Sequence, residues 1–275
     1  MKMAIRFGKI KFIIQAIFIT IFVSSCDLFE YQPYDTPNKE GLSDINNLNI
    51  AKISKNDNEN DTIRFVFTGD TQRCYDETAD FVKDVNKHSN IDFVIHGGDI
   101  TDFGMSKEYI WMNDILHDLK VPYVVLIGNH DVVGQGKDIY KAYFGALNFD
   151  FTFRKTRFIC LNTNALEFDY ATPVPDFDFM TSFLKDTAGV KQTIVVMHSP
   201  PLDDQFNNNV GLMFNYIIER YKGLLFCLNA HRHILSEIDY YNNGIIYYGC
   251  DDIAGRNYLL FTVIGNKYSY QVVKF

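Results

Sequence analysis

The stretch that decides the fold runs from Ile91 to Asp131 and reads IDFVIHGGDITDFGMSKEYIWMNDILHDLKVPYVVLIGNHD. Two short apolar runs within it, 91–95 and 121–127, have the length and composition of buried strands. The segment between them carries apolar residues at helical spacing, namely Ile110, Trp111, Ile115, Leu116 and Leu119. Strand, helix and strand in this order predict parallel strands joined by a crossover helix.

The same alternation begins upstream, with a strand at 63–67 and a helix at 77–87. After Gly145 the pattern changes, because the runs at 149–153 and 157–161 have no helical segment between them and read as paired strands. The remaining predicted elements are helices near 177–185 and 213–221, strands at 193–197 and 223–228, and strands at 234–240, 244–249, 258–264 and 268–273, with Asn243-Gly244 as a hairpin signal. The sequence predicts an α/β fold with a parallel front half and an antiparallel tail.

Five short polar motifs each follow one of the predicted strands. Open α/β sheets place their sites at the carboxyl ends of strands. Taken alone, each motif is also typical of a turn or a helix cap. Together they indicate a functional site. The motifs are Gly69-Asp70-Thr71-Gln72, Gly97-Gly98-Asp99, Gly128-Asn129-His130-Asp131, His198-Ser199-Pro200-Pro201 and Ala230-His231-Arg232-His233.

The order Asp, Gly-Asp, Gly-Asn-His-Asp, His and His-x-His resembles the calcineurin-like metallophosphoesterases, from about Ile63 to the C-terminus. The resemblance implies a four-layer α/β/β/α sandwich with two mixed β-sheets. It also implies a metal-dependent phosphoesterase with a dinuclear metal site between the strand ends. Two such ions activate water for in-line attack and clamp the phosphoryl oxygens.

The resemblance also implies a role for each motif residue. One metal ion is expected on Asp70, Gln72, Asp99 and His233, and the other on Asp99, Asn129, His198 and His231. Asp99 would bridge the two ions. His130 is expected to face the substrate, stabilise charge and protonate the leaving oxygen. Mixed nitrogen and oxygen ligands suit Mn, Fe or Zn, and Mg is possible.

Two positions depart from the family pattern. Gln72 stands where the family commonly has a histidine, and its amide oxygen is a weaker, harder donor than imidazole. The ion held by Gln72 should therefore bind less tightly and tolerate Mn or Mg better. Ala230 stands where the last motif usually has glycine, and we expect only a slight backbone adjustment there.

The charged residues beside the expected ligands have two interpretations each. Arg73 and Arg232 are candidates for binding the substrate phosphate, with a solvated surface role as the alternative. Asp131 is expected to orient His130, with capping of the following segment as the alternative. Asp102 is a weaker candidate for the same role, with the same alternative. Three further histidines, which belong to no motif, are expected to be structural or surface residues; they are His88, His96 and His117.

The first 25 residues predict a signal peptide, since four basic residues and no acid accompany an apolar run from Phe12 to Val23. Val-Ser-Ser-Cys at 23–26 has the form of a bacterial lipobox, which makes Cys26 the expected lipidation site. A short membrane anchor or a plain secretory signal is the alternative. The polar segment 26–61 is interpreted as a flexible tether, and 62–275 as the metallophosphoesterase domain. We therefore expect an exported protein that is lipid-anchored to a bacterial membrane, at the periplasmic face or the cell surface.

The formal charge is −8, and without the leader, which holds four of the 26 basic residues and none of the 34 acids, it is −12. Such a surface repels nucleic acid, so nucleic acid binding is not expected. The expected partners are a small phosphate ester and, through the lipid, a membrane, and the protein is expected to be a monomer. Four cysteines besides Cys26 allow three disulfide pairings, although Cys160 and Cys227 lie in apolar runs and are expected to be buried thiols.

The predicted function is dinuclear-metal-dependent hydrolysis of a phosphate mono- or diester outside the cytoplasm. A phosphoprotein phosphatase is the alternative within enzymes. An inactive surface binding module on the same fold is the alternative from another class, and Gln72 is its only support. Fold and motif do not choose among nucleotide, cyclic nucleotide, phosphosugar and phospholipid head-group esters.

Overall fold

A computed structural model describes residues 32–36, 42–57, 60–168 and 172–275. Residues Tyr34–Phe275 form one compact unit. The predicted leader and Cys26 lie outside the described residues. Within the described part of the chain, no helix is long and apolar enough to cross a membrane.

Six helices and eleven strands make up the described fold. The helices are α1 Ile45–Lys55, α2 Tyr75–Val85, α3 Ser106–Leu116, α4 Gly136–Tyr143, α5 Phe177–Ser182 and α6 Gly211–Ile218. The strands are β1 Thr62–Thr68, β2 Phe93–His96, β3 Tyr123–Val125, β4 Phe149–Phe153, β5 Thr156–Leu161, β6 Gln192–Met197, β7 Leu224–Asn229, β8 Ser236–Ile238, β9 Tyr247–Gly249, β10 Asn257–Ile264 and β11 Lys267–Lys274.

The strands form two mixed sheets. One has the order β11-β10-β1-β2-β3 and the other β4-β5-β6-β7-β9-β8. Strands β1, β2 and β3 are parallel, as predicted. The predicted antiparallel tail is wrong in part, because β5, β6, β7 and β9 are also parallel and form the centre of the second sheet. The sequence of strands as short as 224–229 and 247–249 does not show whether they are antiparallel neighbours or parallel neighbours joined by a crossover.

Three clusters of buried side chains fill the spaces between four layers. Residues of α1 to α4 pack on one face of the first sheet. An aromatic cluster that includes Phe65, Phe93, Phe158 and Phe226 lies between the sheets. Residues of α5 and α6 pack on the outer face of the second sheet. The four-layer α/β/β/α sandwich that the resemblance implied is confirmed.

The interpretation of 26–61 as a flexible tether is wrong for its last part, because α1 belongs to the domain. Ile45 and Ile53 are buried in the two clusters that contact the first sheet. Asn46 is buried as well, and its side chain donates to the Val125 carbonyl and accepts from the Val125 N–H, both at 2.9 Å. The amide thus pairs with the edge strand β3 as another strand would. Two buried asparagines in this helix, Asn46 and Asn49, concealed its inward face from a hydrophobicity pattern.

Helix α4 was not predicted either. Its eight residues bury Ile139, Tyr140 and Tyr143 against the first sheet's helical layer. The four cysteines Cys74, Cys160, Cys227 and Cys250 are free thiols. Cys160 and Cys227 are fully buried, as expected.

Candidate metal centre

The five motifs meet at one edge of the two sheets. The loop after β1 is joined to the loop after β2 by backbone hydrogen bonds from Asp70 N–H to Gly98 and from Thr71 N–H to Asp99. The two sheets are joined at the site by the His231 N–H, which donates to the Asp70 carboxylate at 3.0 Å. All seven predicted ligands belong to these loops or to the loops that follow β3, β6 and β7 at the same edge.

Backbone geometry at the site is unusual. Asp70, Asp99, His231 and His233 all have positive φ, between 51° and 70°. Such conformations cost energy for residues other than glycine and cluster at functional sites. At Gly128 no side chain fits, because a Cβ there would lie 2.1 Å from Asp99 Oδ1 and 2.2 Å from Asp99 N. The two metal loops therefore approach each other as closely as their backbones allow.

Asp70, Gln72, Asp99 and His233 are the predicted ligands of one ion. Asp70 Oδ1 lies 3.4 Å from His233 Nε2, and the Asp70 carboxylate raises the pKa of His233. Asp70 Oδ1 and Gln72 Oε1 are both buried and have no hydrogen-bond partner among the described residues. Buried polar atoms are rarely left unpaired, so these two oxygens fit ligands for a cation.

Asp99, Asn129, His198 and His231 are the predicted ligands of the other ion. His198 Nδ1 lies 2.9 Å from the Gly97 carbonyl, which only accepts hydrogen bonds, so Nδ1 carries the proton. Its Nε2 then faces Asn129 Oδ1 at 2.9 Å and Asp99 Oδ2 at 3.4 Å. Three acceptors converging on one point fit a metal ion, and ligand atoms of Asp99, His198 and His231 lie within 4.8 Å of one another.

A proton takes this place when no metal is bound. Burial by itself would lower the pKa of His198, but the buried Asp99 carboxylate outweighs burial and raises it to about 9. His198 in turn holds the pKa of Asp99 below its usual range, although burial acts in the opposite direction. Metal and proton therefore compete for the same nitrogen, as is usual for histidine ligands.

His130 is placed to act on a substrate. Its backbone N–H donates to Asp99 Oδ1 at 2.9 Å. Its Nδ1 lies 2.9 Å from the Asp102 carbonyl and 3.5 Å from the Asp102 carboxylate, which fixes the proton on Nδ1 and leaves Nε2 without a partner among the described residues. About a third of the side chain is exposed, at 35%. The ring is held at the mouth of the centre with one nitrogen open to a ligand.

The role predicted for Asp131 is corrected by the structure. Its carboxylate is fully buried and accepts hydrogen bonds from the backbone N–H groups of Gly128, Asp99 and Thr101 at 2.8–2.9 Å and from the Thr101 hydroxyl. These contacts hold two metal loops together, and Asp102 is the residue that orients His130. Sequence proximity favoured Asp131, but in a short 3-10 turn adjacent side chains point in different directions.

The two arginines are both engaged. Arg73 pairs with Asp102 at 2.6 Å, and its side chain is 70% exposed. Arg232 lies 3.8 Å from Asp203 and 3.3 Å from the Tyr240 hydroxyl. Arg73 thus lies beside the residue that orients His130, while Arg232 faces a neighbouring loop. Phosphate binding by either one stays a prediction.

Ala230 and His96 both lie in fully buried, tightly packed surroundings. The Ala230 methyl occupies the space left by two glycines, since a Cβ at Gly69 or Gly97 would lie 2.8–2.9 Å from it. The substitution of glycine at this motif is therefore accommodated by its neighbours. His96 is fully buried between the Thr71 hydroxyl and the Gly98 N–H, a structural position.

Two acidic residues near the centre belong to none of the five sequence motifs. Asp203 Oδ1 lies 2.9 Å from His231 Nε2, and Asp252 Oδ2 lies 3.4 Å from His233 Nδ1. Asp252 follows the end of β9, so its position at the same sheet edge was an available signal. Asp203 lies in an irregular loop, where sequence carried no such signal.

The chain belongs to the calcineurin-like phosphoesterase family, whose model matches residues 63–235, more than half of the chain. That family comprises metal-dependent phosphoesterases, and it typically binds a dinuclear metal centre. The uncharacterized protein YvnB of Bacillus subtilis (strain 168) is 36% identical over 105 residues, which cover 33% of this chain and 8% of that protein. The chain thus spans less than a tenth of that relative's length.

Solved structures share the fold. A dimetal phosphatase from Danio rerio superposes with a TM-score of 0.59 at 11% identity, covering 78% of this chain and 99% of that one. Purple acid phosphatase PPD1 from yellow lupin (Lupinus luteus) gives 0.58 at 13% identity, covering 78% of this chain and 52% of that one. At such low sequence identities the similarity shows a shared fold alone.

Proposed function

We propose that this protein hydrolyses small phosphate mono- or diesters outside the cytoplasm, with two divalent metal ions held by the seven motif residues. The observation that carries the proposal is the convergence of Asp99, His198 and His231 ligand atoms within 4.8 Å of one another, close to two buried oxygens, Asp70 Oδ1 and Gln72 Oε1, that have no partner among the described residues. When bound, the metal ions would polarise the phosphoryl oxygens and activate water.

The protein's own residues supply the rest of the chemistry. His130 donates its Nδ1 proton to the Asp102 carbonyl, so a second proton taken up from solvent lies on Nε2, and the doubly protonated ring can pass that proton to the departing oxygen of the ester. Asp131 keeps the loops that carry Asp99 and Asn129 at a fixed separation. A preorganised site of this kind needs little rearrangement as charge develops.

Electrostatics favours a small anionic substrate. Two divalent ions would face only two ligand carboxylates, Asp70 and Asp99, because Gln72 and Asn129 contribute neutral amides. The centre would then be locally positive on an acidic chain. A phosphate group is attracted to the centre, while a long polyanion is repelled by the surrounding surface.

The ligand types support Mn, Fe or Zn, with Mg possible. His198 and His231 supply imidazole to one ion, which suits Fe or Zn. Gln72 supplies a hard oxygen to the other, so that ion is the one we propose to be Mn or Mg and the easier to remove. Metal analysis after partial chelation would separate the two.

Export and lipid anchoring at Cys26 are supported by the composition of the leader. In a bacterial host, Cys26→Ala should move the protein from the membrane fraction to the soluble exported fraction. Membrane retention of Cys26→Ala would instead favour an uncleaved anchor.

The activity is tested with p-nitrophenyl phosphate and bis(p-nitrophenyl) phosphate, using the full chain purified in detergent, stripped by chelation and titrated with Mn, Fe, Zn or Mg. Metal-dependent release of nitrophenol is the expected result, and the ratio of the two rates distinguishes monoesterase from diesterase. Folded protein that binds two ions and turns over neither these nor a panel of nucleotide, sugar and phosphopeptide esters would favour the binding module.

A further inference from the structure

The imidazole of His231 has an acidic partner that belongs to no motif. Asp203 Oδ1 lies 2.9 Å from His231 Nε2, and the Asp203 side chain is only 15% exposed. Because Asp203 occupies Nε2, Nδ1 is the nitrogen that remains for a metal ion shared with Asp99 and His198.

Asp203 is itself held in place by its loop. Its backbone carbonyl accepts from Asn208 Nδ2 at 2.7 Å, and Asn208 Oδ1 accepts from the Leu202 N–H at 2.8 Å. Its second carboxylate oxygen lies 3.8 Å from Arg232 Nε. The carboxylate is thus fixed before any metal binds.

His231 has particular need of such a partner. His198 is fully buried and is oriented by the Gly97 carbonyl, whereas the His231 side chain is 17% exposed and starts from a backbone with φ 70°. A carboxylate on the outer nitrogen of a metal-binding histidine fixes the tautomer and makes the ring a stronger donor.

We propose that Asp203 is a positioning residue, which orients His231 and strengthens its bond to one of the two metal ions. The inference rests on the proposed dinuclear centre. It accounts for a half-buried carboxylate beside a histidine of the last motif, and it assigns a task to the loop that follows His198-Ser199-Pro200-Pro201.

The next residue offers a matched control. Asp204 Oδ1 lies 3.6 Å from the same His231 nitrogen, but the Asp204 side chain is 82% exposed. Solvent screens an exposed carboxylate, so its charge should contribute little. Asp203→Asn and Asp204→Asn remove the same charge from nearly the same place, yet Asp203 is closer to His231 and far less exposed.

The test is a titration of the full chain in detergent with Mn²⁺, following both dissociation constants, together with the absorption spectrum of the Co²⁺ form. In Asp203→Asn one Mn²⁺ ion should bind about 10–100-fold more weakly. The Co²⁺ spectrum should change for that ion alone. Asp204→Asn should leave both constants within about threefold of wild type. The thermal midpoint of the metal-free protein should be the same in all three proteins.

Three outcomes would overturn the inference. Unchanged Mn²⁺ constants in Asp203→Asn would show that His231 needs no carboxylate, and an equal loss in Asp204→Asn would show a general charge effect. Wild-type protein that binds fewer than two ions would instead remove the proposed centre itself. If Asp203→Asn lowers the metal-free thermal midpoint, Asp203→Ser replaces it in the same titration, with the same expected loss.

Discussion

His130 has one ring nitrogen held by Asp102 and the other free at the mouth of the site. Replacing it by asparagine removes the group that can move a proton while leaving its backbone contact with Asp99. We expect His130→Asn to lower kcat by about 10²–10⁴-fold, with Mn²⁺ stoichiometry unchanged, in the p-nitrophenyl phosphate assay. His117→Asn, at an exposed histidine outside every motif, is the control. Full activity in His130→Asn would remove the proposed proton transfer.

His96 lies between the loops after β1 and β2, and burial lowers its pKa to about 3. An unfolded histidine has a pKa near 6.5, so between about pH 3 and 6.5 the unfolded chain binds a proton that the folded chain does not. Stability from the neutral ring is present above this window and is lost as the pH falls through it, by about 1.4 kcal/mol per pH unit.

The measurement is urea unfolding of metal-free wild type and His96→Asn at several pH values from 7 to 4. Wild type should lose free energy of unfolding more steeply than the variant, by about 1.4 kcal/mol per unit. The difference between the two slopes removes contributions from other titrating groups. Parallel slopes would show that His96 accepts a proton in the folded state.

At the scale of elements, helix α1 closes the free edge of the first sheet through one side chain. Asn46→Leu keeps a similar volume but leaves the buried Val125 N–H without its acceptor. An unsatisfied buried donor costs about 1–3 kcal/mol, so the variant should unfold at lower urea concentration by that amount. Ser54→Leu, on the exposed face of the same helix, should change stability by less than about 0.5 kcal/mol. Equal effects of the two variants would contradict the edge pairing.

For the whole molecule, the proposed metal centre would join two sheets, because its predicted ligands come from loops of both. Ions that bind only the folded state should stabilise it by about 2.7 kcal/mol per site at a concentration of 100 Kd. Chelation should therefore lower the thermal midpoint, and Mn²⁺ should restore it. Asp99→Asn alters the ligand that we propose both ions share, and it should abolish most of the restoration. A thermal midpoint that changes with neither chelator nor Mn²⁺ would argue against a structural link through metal.

Sequence by itself determined the chemistry of the site and the class of fold. The motifs are local, and each follows a strand, so their order along the chain predicts that Asp70, Asp99, Asn129, His198 and the His231–His233 pair meet at one edge. Helical and strand periodicity is likewise a local property, which explains why 63–67, 77–87 and 107–119 were found close to their observed bounds.

Only the tertiary structure decided which residues support the ligands. Asp102 rather than Asp131 orients His130, Asp203 reaches His231 from another loop, and Asn46 pairs with a strand 79 residues away. A polar side chain looks the same in sequence whether it faces water or a buried partner. The partner is brought to it by packing of distant segments, and hydrogen bonds between such segments leave no local periodicity to read.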